Sequence, residues 1–221
     1  MKQLVICQVN VRHSGAVWTL LEQTVKEKGV DIVAVQELPR MATTYEGRWE
    51  GYDFLFSKGS IPHAALIFNS KLKFKALERT GLRVCGAKVW FSNFSFPVLF
   101  SYLRHTSGEG LAELSDFLRI SRQNSTGVFL CSDSNAHSPL WGPPSVTSDV
   151  VGKNLEELFA QENLLVLNHS GSPPTFRGDS GQTSWIDITA VTPNLVPRVF
   201  SWQVEEDMEV ASDHIPIISR L

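Results

Sequence analysis

The stretch Val128-Phe129-Leu130-Cys131-Ser132-Asp133-Ser134-Asn135 passes without a break from apolar to polar residues. A short, unbroken apolar run after a glycine (Gly127) reads as a strand buried on both faces, because a surface helix would interleave polar positions. Asp133 and Asn135 then stand at the end of that strand, where a sheet edge holds a carboxylate rigidly. The same step recurs along the chain. Leu4 to Val11 is interrupted by Asn10, and Asp31 to Val35 ends at Gln36-Glu37. Asp187 lies inside Trp185-Ile186-Asp187-Ile188, and Asp213-His214 precedes Ile215.

Further strand candidates are Tyr52 to Phe56, Ala64 to Phe68, Ala87 to Phe94, Pro97 to Leu103, Leu164 to Leu167, Ser184 to Thr192, Arg198 to Trp202 and Ile215 to Ser219. Helical spacing appears in Val17 to Lys28, stopped by Gly29, in Leu111 to Ile120, and in Lys153 to Gln161. Strands outnumber helices and come in meander-like runs. The pattern predicts an α/β chain of two packed, mostly antiparallel β-sheets flanked by helices, rather than a doubly wound parallel sheet. No linker, repeat or low-complexity tract divides residues 1–221, so a single domain is expected. The longest loop candidate, Asn135 to Gly152, carries Trp141 and Pro143-Pro144; a long ordered loop at a polar strand end is more often functional than idle.

Composition narrows the classes. A net charge of −3 and a pI of about 6.1 argue against a protein that holds nucleic acid by bulk electrostatics. They fit an acidic site neutralised by a bound cation. No stretch approaches the roughly 20 apolar residues of a membrane span, so no membrane association is expected. Gln8, Asn10 and Arg12 break the first apolar run too early for a leader peptide. Cys7 and Cys131 sit in apolar runs without metal-ligand spacing, which predicts buried thiols in a reducing compartment.

Acids, amides and a histidine without a Cys/His cluster suit a hard cation, Mg²⁺ or Mn²⁺, rather than zinc. Phosphodiester hydrolysis needs a charge clamp on the phosphate, an activated water and help for the leaving oxygen, and these residue types supply all three. Each cluster also has a plainer reading. Asp133-Ser134-Asn135 makes a turn or cap, and Ser212-Asp213-His214-Ile215-Pro216 a turn before the last strand. Asp187 between two isoleucines is harder to excuse, since a carboxylate there is costly unless paired or solvated.

Taken in order, Asn10, Gln36-Glu37, Ser132-Asp133-Ser134-Asn135, Ser184-Trp185-Ile186-Asp187 and Ser212-Asp213-His214 resemble the landmarks of the endonuclease/exonuclease/phosphatase superfamily, the DNase I-like fold. Within it, Ser134-Asn135-Ala136-His137-Ser138-Pro139-Leu140-Trp141-Gly142 resembles the endonuclease domain of non-LTR (LINE-type) retrotransposons. So do the Asn154-Leu155-Glu156-Glu157-Leu158 helix, Asn168 and Pro174-Thr175-Phe176.

The resemblance implies a four-layer α/β sandwich and a set of roles. Glu37 is the main metal ligand, with Asn10 and Asp213 supporting the metal side. Asp133 orients or deprotonates the attacking water, and Asn135 bonds the phosphate and that water. His214 stabilises the phosphate's developing charge while Asp187 fixes its tautomer and raises its pKa. Tyr102 matches the family's phosphate-contacting tyrosine, although Leu103-Arg104-His105 follows it in place of a proline-containing turn. Ser132 replaces the usual glycine, and Arg12 stands where several relatives carry an acid; it either removes a metal-side carboxylate or supplies a phosphate contact.

Candidate DNA contacts are Arg12, His137, Trp141, Thr175, Arg177 and the segment from Arg79 to Arg83. Trp141 either stacks on unpaired bases or anchors its own loop. Arg177 either meets a phosphate or is simply solvated. The implied activity is Mg²⁺-dependent nicking of one strand of double-stranded DNA, leaving a 3′-hydroxyl for a reverse transcriptase encoded downstream. A nuclear location and a monomeric state go with it. Abasic-site repair is the first rival, a phosphatase or phospholipase of the same fold the second, and an inert binding module the third.

Overall fold

A computed structural model describes residues 3–78, 81–104, 107–123, 127–208 and 210–221. Its first half runs β1 (Val5–Asn10), α1 (Gly15–Glu27), β2 (Ile32–Gln36), β3 (Tyr52–Phe56), β4 (Ala64–Asn69), β5 (Lys73–Ala76), β6 (Val84–Phe91) and β7 (Phe94–Tyr102). The second half runs α2 (Leu111–Gln123), β8 (Phe129–Asp133), α3 (Val150–Gln161), β9 (Leu165–Val166), β10 (Phe176–Arg177), β11 (Thr183–Ser184), β12 (Asp187–Val191), β13 (Ser201–Val204) and β14 (Ile217–Arg220).

Two six-stranded sheets result, in the orders β13-β14-β1-β2-β4-β3 and β5-β6-β7-β8-β12-β9, beside a short β10-β11 ribbon. Each large sheet contains one parallel pair, β1 with β2 and β7 with β8. Parallel neighbours need a crossover, and α1 and α2 supply it. The remaining pairs are antiparallel.

Strand alternation assigns the layers. Ile6, Ile32, Leu66 and Phe68 of one sheet face Val89, Phe96, Phe100 and Phe129 of the other. Val9, Val33 and Ile67 point the opposite way, onto Trp18, Leu21 and Val25 of α1. Leu99, Leu130 and Ile188 likewise meet Leu114 and Phe117 of α2 and Leu155 and Phe159 of α3. Fully burying one such side chain stabilises the fold by about 1.5–3 kcal/mol. Both sheets are therefore covered on both faces, giving the helix–sheet–sheet–helix sandwich expected from the sequence.

Three boundaries differ from the sequence reading. Residues 87–94 do not form one strand, because β6 and β7 are a hairpin turning at Ser92, which adopts φ 53°. No glycine or proline marks that turn. Pro97 begins no strand but lies inside β7, just before Val98, the first β7 residue paired with β8. The unforeseen β5 is an edge strand whose Lys73 and Lys75 hide its period-two pattern, as charged edge strands do.

Candidate active site

Both parallel pairs end at the same edge of the sandwich. Asn10 lies opposite Gln36 in one, and Tyr102 opposite Asp133 in the other. Toward that edge the layer between the sheets turns from apolar to polar. Gln8 Nε2 donates to the Ser132 carbonyl at 3.0 Å, and Asn10 Nδ2 donates to Asp133 Oδ2 at 2.9 Å. Two amide side chains thus fasten one sheet to the other next to the buried Asp133.

Asp187 sits beside Asp133 in the β12–β8 register. Its backbone is braced on both sides. Thr175 Oγ1 accepts from the Ile186 and Asp187 amides at 3.1 and 3.0 Å, and Asn168 spans the Asp187 carbonyl and Thr189 amide, both at 2.9 Å. The Asp187 carboxylate accepts from His214 Nδ1 at 2.9 Å, leaving Nε2 of that ring for substrate. His214 arrives on the turn after Ala211, where Ser212 Oγ donates to the Asn10 carbonyl at 2.7 Å and accepts from the His214 amide at 3.2 Å.

The charges are set by burial and by each other. Burial alone would lower the His214 pKa, but Asp187, through its charge and its hydrogen bond, carries it up to about 9. Burial pushes Asp133 up to about 7, with Asp187 adding to the rise, while His214 and the Asn10 bond oppose it. His214 is therefore an imidazolium at neutral pH, held on Asp187, and the Asp133 carboxyl changes charge near neutrality. Asp133 Oδ1 and Asp187 Oδ1 are buried with no hydrogen-bond partner, so each keeps lone pairs for a ligand or water. Ligand atoms of Asp133, Asp187 and His214 lie within 4.8 Å of one another and would hold a cation by distance alone. The imidazolium already supplies a positive charge there, so a second cation fits poorly.

The other side of the site is more open. Glu37 follows β2 in a left-handed conformation (φ 48°) and is only partly buried. Its Oε1 accepts from the Tyr102 hydroxyl at 2.9 Å, and its Oε2 lies 4.0 Å from His13 Nε2. Burial and then Glu37 hold the Tyr102 pKa above the usual phenol range. Asp213 is instead paired with Arg12 at 3.2 Å, and Asn10 Oδ1 accepts from the Arg12 amide at 2.8 Å. Of the residues expected on the metal side, Glu37 best fits a divalent cation: a fixed carboxylate with an oxygen left over, facing the groove. Asn10 Oδ1 and one oxygen of Asp213 are engaged by Arg12.

A groove of about 480 Å³ brings these residues together, lined by Arg12, Glu37, Asn135, His137, Asp213 and His214, with Phe176 and the β11 residues opposite. Asn135 is also left-handed (φ 47°) and anchored by its Nδ2 on the Leu103 carbonyl at 3.0 Å. His137 faces the groove with its Nδ1 on Asp149 at 3.0 Å.

Several expected DNA contacts are corrected. Trp141 is 0% exposed; its indole donates to the Ala136 carbonyl at 3.1 Å and its ring packs on Phe159, so it anchors its own loop and cannot stack on a base. Thr175 is also 0% exposed, its hydroxyl committed to the Asp187 strand. Arg83 is buried, paired with Glu109 at 3.1 Å above the Tyr102 ring. Arg79 lies outside the described residues. Arg177 is half-exposed but paired with Glu206, and it lines a neighbouring groove. The sequence reading missed Gln8 and His13. Gln8 carried the same signal as Asn10, a polar residue interrupting an apolar strand; His13, in a loop, carried none.

The fold is a four-layer sandwich with a carboxylate–imidazole cluster at its open edge. Residues 98–218, more than half of the chain, match the endonuclease-reverse transcriptase family, and the chain belongs to it. No curated protein sequence matches significantly. Among solved structures, the endonuclease domain of TRAS1, a telomere-specific non-LTR retrotransposon, is similar with a TM-score of 0.87 at 20% identity, covering 100% of this chain and 98% of that one. The AP endonuclease LMAP from Leishmania major follows the same fold at a TM-score of 0.77 and 15% identity, covering 100% and 88%. So does the 3′ phosphatase NExo from Neisseria, at 0.71 and 16%, covering 98% of each chain.

Proposed function

We propose that this chain is a divalent-metal-dependent endonuclease that nicks one strand of double-stranded DNA and leaves a 3′-hydroxyl. That end primes reverse transcription by a downstream domain of the same element, inside the nucleus, and the endonuclease acts as a monomer. The observation that carries the chemistry is the buried Asp133–Asp187–His214 cluster, which reaches through His214 the groove that Glu37 also lines. Family membership and the likeness to a retrotransposon endonuclease domain support the choice of DNA as substrate.

In this reading Glu37 holds a Mg²⁺ or Mn²⁺ ion, positioned by the Tyr102 hydroxyl. When bound, the cation offsets negative charge on the phosphate and its leaving oxygen. Asp133 accepts a proton from water through its unpartnered oxygen, a task suited to a carboxyl raised to about 7. Asn135 fixes that water and a phosphate oxygen. His214, cationic at neutral pH, donates from Nε2 to the phosphoryl oxygen on which charge develops. Arg12 and His137 bind flanking phosphates.

Supercoiled plasmid incubated with Mg²⁺ becomes nicked circles in this scheme. Nicking is abolished by EDTA and reduced about 10³-fold by Asp133→Ala or His214→Ala. Nicking that survives either substitution overturns the mechanism. A strong preference for an abasic duplex over intact plasmid would move the protein to repair. Hydrolysis of phosphate monoesters or phospholipids without nicking would move it to the phosphatase branch.

A further inference from the structure

The β1–α1 loop carries two consecutive non-glycine residues in the left-handed region, Arg12 (φ 50°) and His13 (φ 54°). L-residues rarely adopt that conformation and keep it only where their surroundings hold them. Arg12 is held on Asn10 and Asp213, and the contacts that hold His13 run to the segment around Glu37. The His13 amide donates to the Glu37 carbonyl at 2.6 Å, and the ring's Nδ1 lies 3.0 Å from the Leu38 carbonyl. A ring nitrogen facing a carbonyl must carry the hydrogen, so Nδ1 is the donor, and in the neutral ring Nε2 is the nitrogen that presents a lone pair. That lone-pair nitrogen stands 4.0 Å from Glu37 Oε2.

A backbone carbonyl on the far nitrogen is how metal-binding imidazoles are oriented. The spacing also fits a shared ion. Two donors each about 2.1 Å from one cation lie about 3.0 Å apart at a right angle and about 4.2 Å apart when opposite. Meanwhile Arg12 occupies two oxygens on this side, its guanidinium on Asp213 Oδ2 and its amide on Asn10 Oδ1. One loop thus engages oxygen donors and offers a nitrogen.

We infer that His13 Nε2 is a ligand of the divalent cation at Glu37, which makes the site a mixed nitrogen–oxygen centre favouring Mn²⁺ over Mg²⁺. Imidazole suits the later divalent metals, whereas Mg²⁺ demands oxygen donors and dehydrates reluctantly. The inference rests on the proposal that Glu37 holds the cation. His63 is the natural control, a second imidazole stacked 5.8 Å from the Tyr102 ring and lacking this geometry.

The test is direct Mn²⁺ binding, with no turnover required. Pulsed EPR of the Mn²⁺-loaded protein should show a ¹⁴N coupling in wild type and in His63→Ala, and none in His13→Ala. Mn²⁺ titration should show a Kd at least about 10-fold higher in His13→Ala, with Mg²⁺ affinity, measured by competition, changed much less. His13 is half-exposed, so the substitution leaves the core intact, which circular dichroism will verify. A coupling that persists in His13→Ala, or Mn²⁺ bound by wild type without any coupling, overturns the inference and leaves Glu37 in place. Mn²⁺ affinity unchanged by Glu37→Gln overturns the placement of the cation, and His13 falls with it.

Discussion

The two sides of the groove are built on opposite principles. On the β8–β12 side, Asp133, Asp187 and His214 are buried, carried on strands or tied to them, and braced by a threonine, two asparagines and a serine. On the β1–β2 side, Glu37, Arg12 and His13 are at least partly exposed and sit on loops whose backbone is left-handed at all three. The first side is made for proton and charge chemistry, which gains from a dry, fixed environment. The second, in the proposed function, exchanges an ion with water, which a sealed pocket would forbid. Strong pKa shifts accompany burial on both sides, in Asp133 and His214 on the sealed one and in the half-buried Tyr102 on the open one.

The contrast can be broken most severely at Asp133. Asp133→Asn keeps an oxygen to accept from Asn10 yet removes the proton acceptor, so nicking should fall about 10³-fold. The same substitution should stabilise the metal-free protein. A carboxyl whose folded pKa is raised to about 7 contributes most when protonated, and that contribution is lost as pH rises through 7. At pH 8 in EDTA the variant should therefore melt higher than wild type, at about 2–4 °C for each kcal/mol relieved, and the gap should shrink at pH 5. A lower melting temperature at pH 8 would show that the charge of Asp133 is not held at a cost.

Glu37→Gln tests the open side. It should cost about 10²-fold in nicking at low Mg²⁺, be partly rescued by more metal, and leave the melting temperature in EDTA close to wild type. A large loss of stability would mean that the two sides are not separate in kind.

Asp187→Asn should act most mildly at neutral pH and show itself in the pH profile. In wild type kcat/KM should rise as Asp133 loses its proton near pH 7 and fall as His214 loses its own near 9. Asp187 raises both, so removing its charge moves both limbs to lower pH, the alkaline one further because Asp187 acts on His214 through its charge and its hydrogen bond, leaving only Asp133 and Asp213 against burial. Assays from pH 5 to 10 will read the shift directly. Limbs that stay in place would detach Asp187 from both groups.

The same division explains what could be read from the sequence. The buried side was legible, because a carboxylate or amide breaking an apolar run must be paired or functional, and Asn10, Asp133 and Asp187 all announce themselves that way. The two-sheet architecture followed from the same runs. The open side was legible only at Glu37. Whether Arg12 meets a phosphate or Asp213, and whether His13 reaches Glu37, depends on a loop conformation that no residue pattern encodes, since neither position is a glycine. Thr175 misled for the converse reason, and Trp141 was open between two readings, of which the structure selects the loop anchor. Both stand in polar loops, and only the fold shows that their polar atoms close hydrogen bonds inside it.

Gln8 and Asn10 reach across from one sheet to the backbone of Ser132 and the carboxylate of Asp133. The gap between the sheets is therefore pinned at the edge where bonds are broken, as a caliper is locked before a measurement. Loops beyond the pins can lengthen, shorten or change their side chains without altering that gap. Under the proposed function, a nuclease built this way can change where it cuts DNA while keeping how it cuts, so loops exchanged between relatives should transfer target preference and leave the rate of hydrolysis nearly untouched.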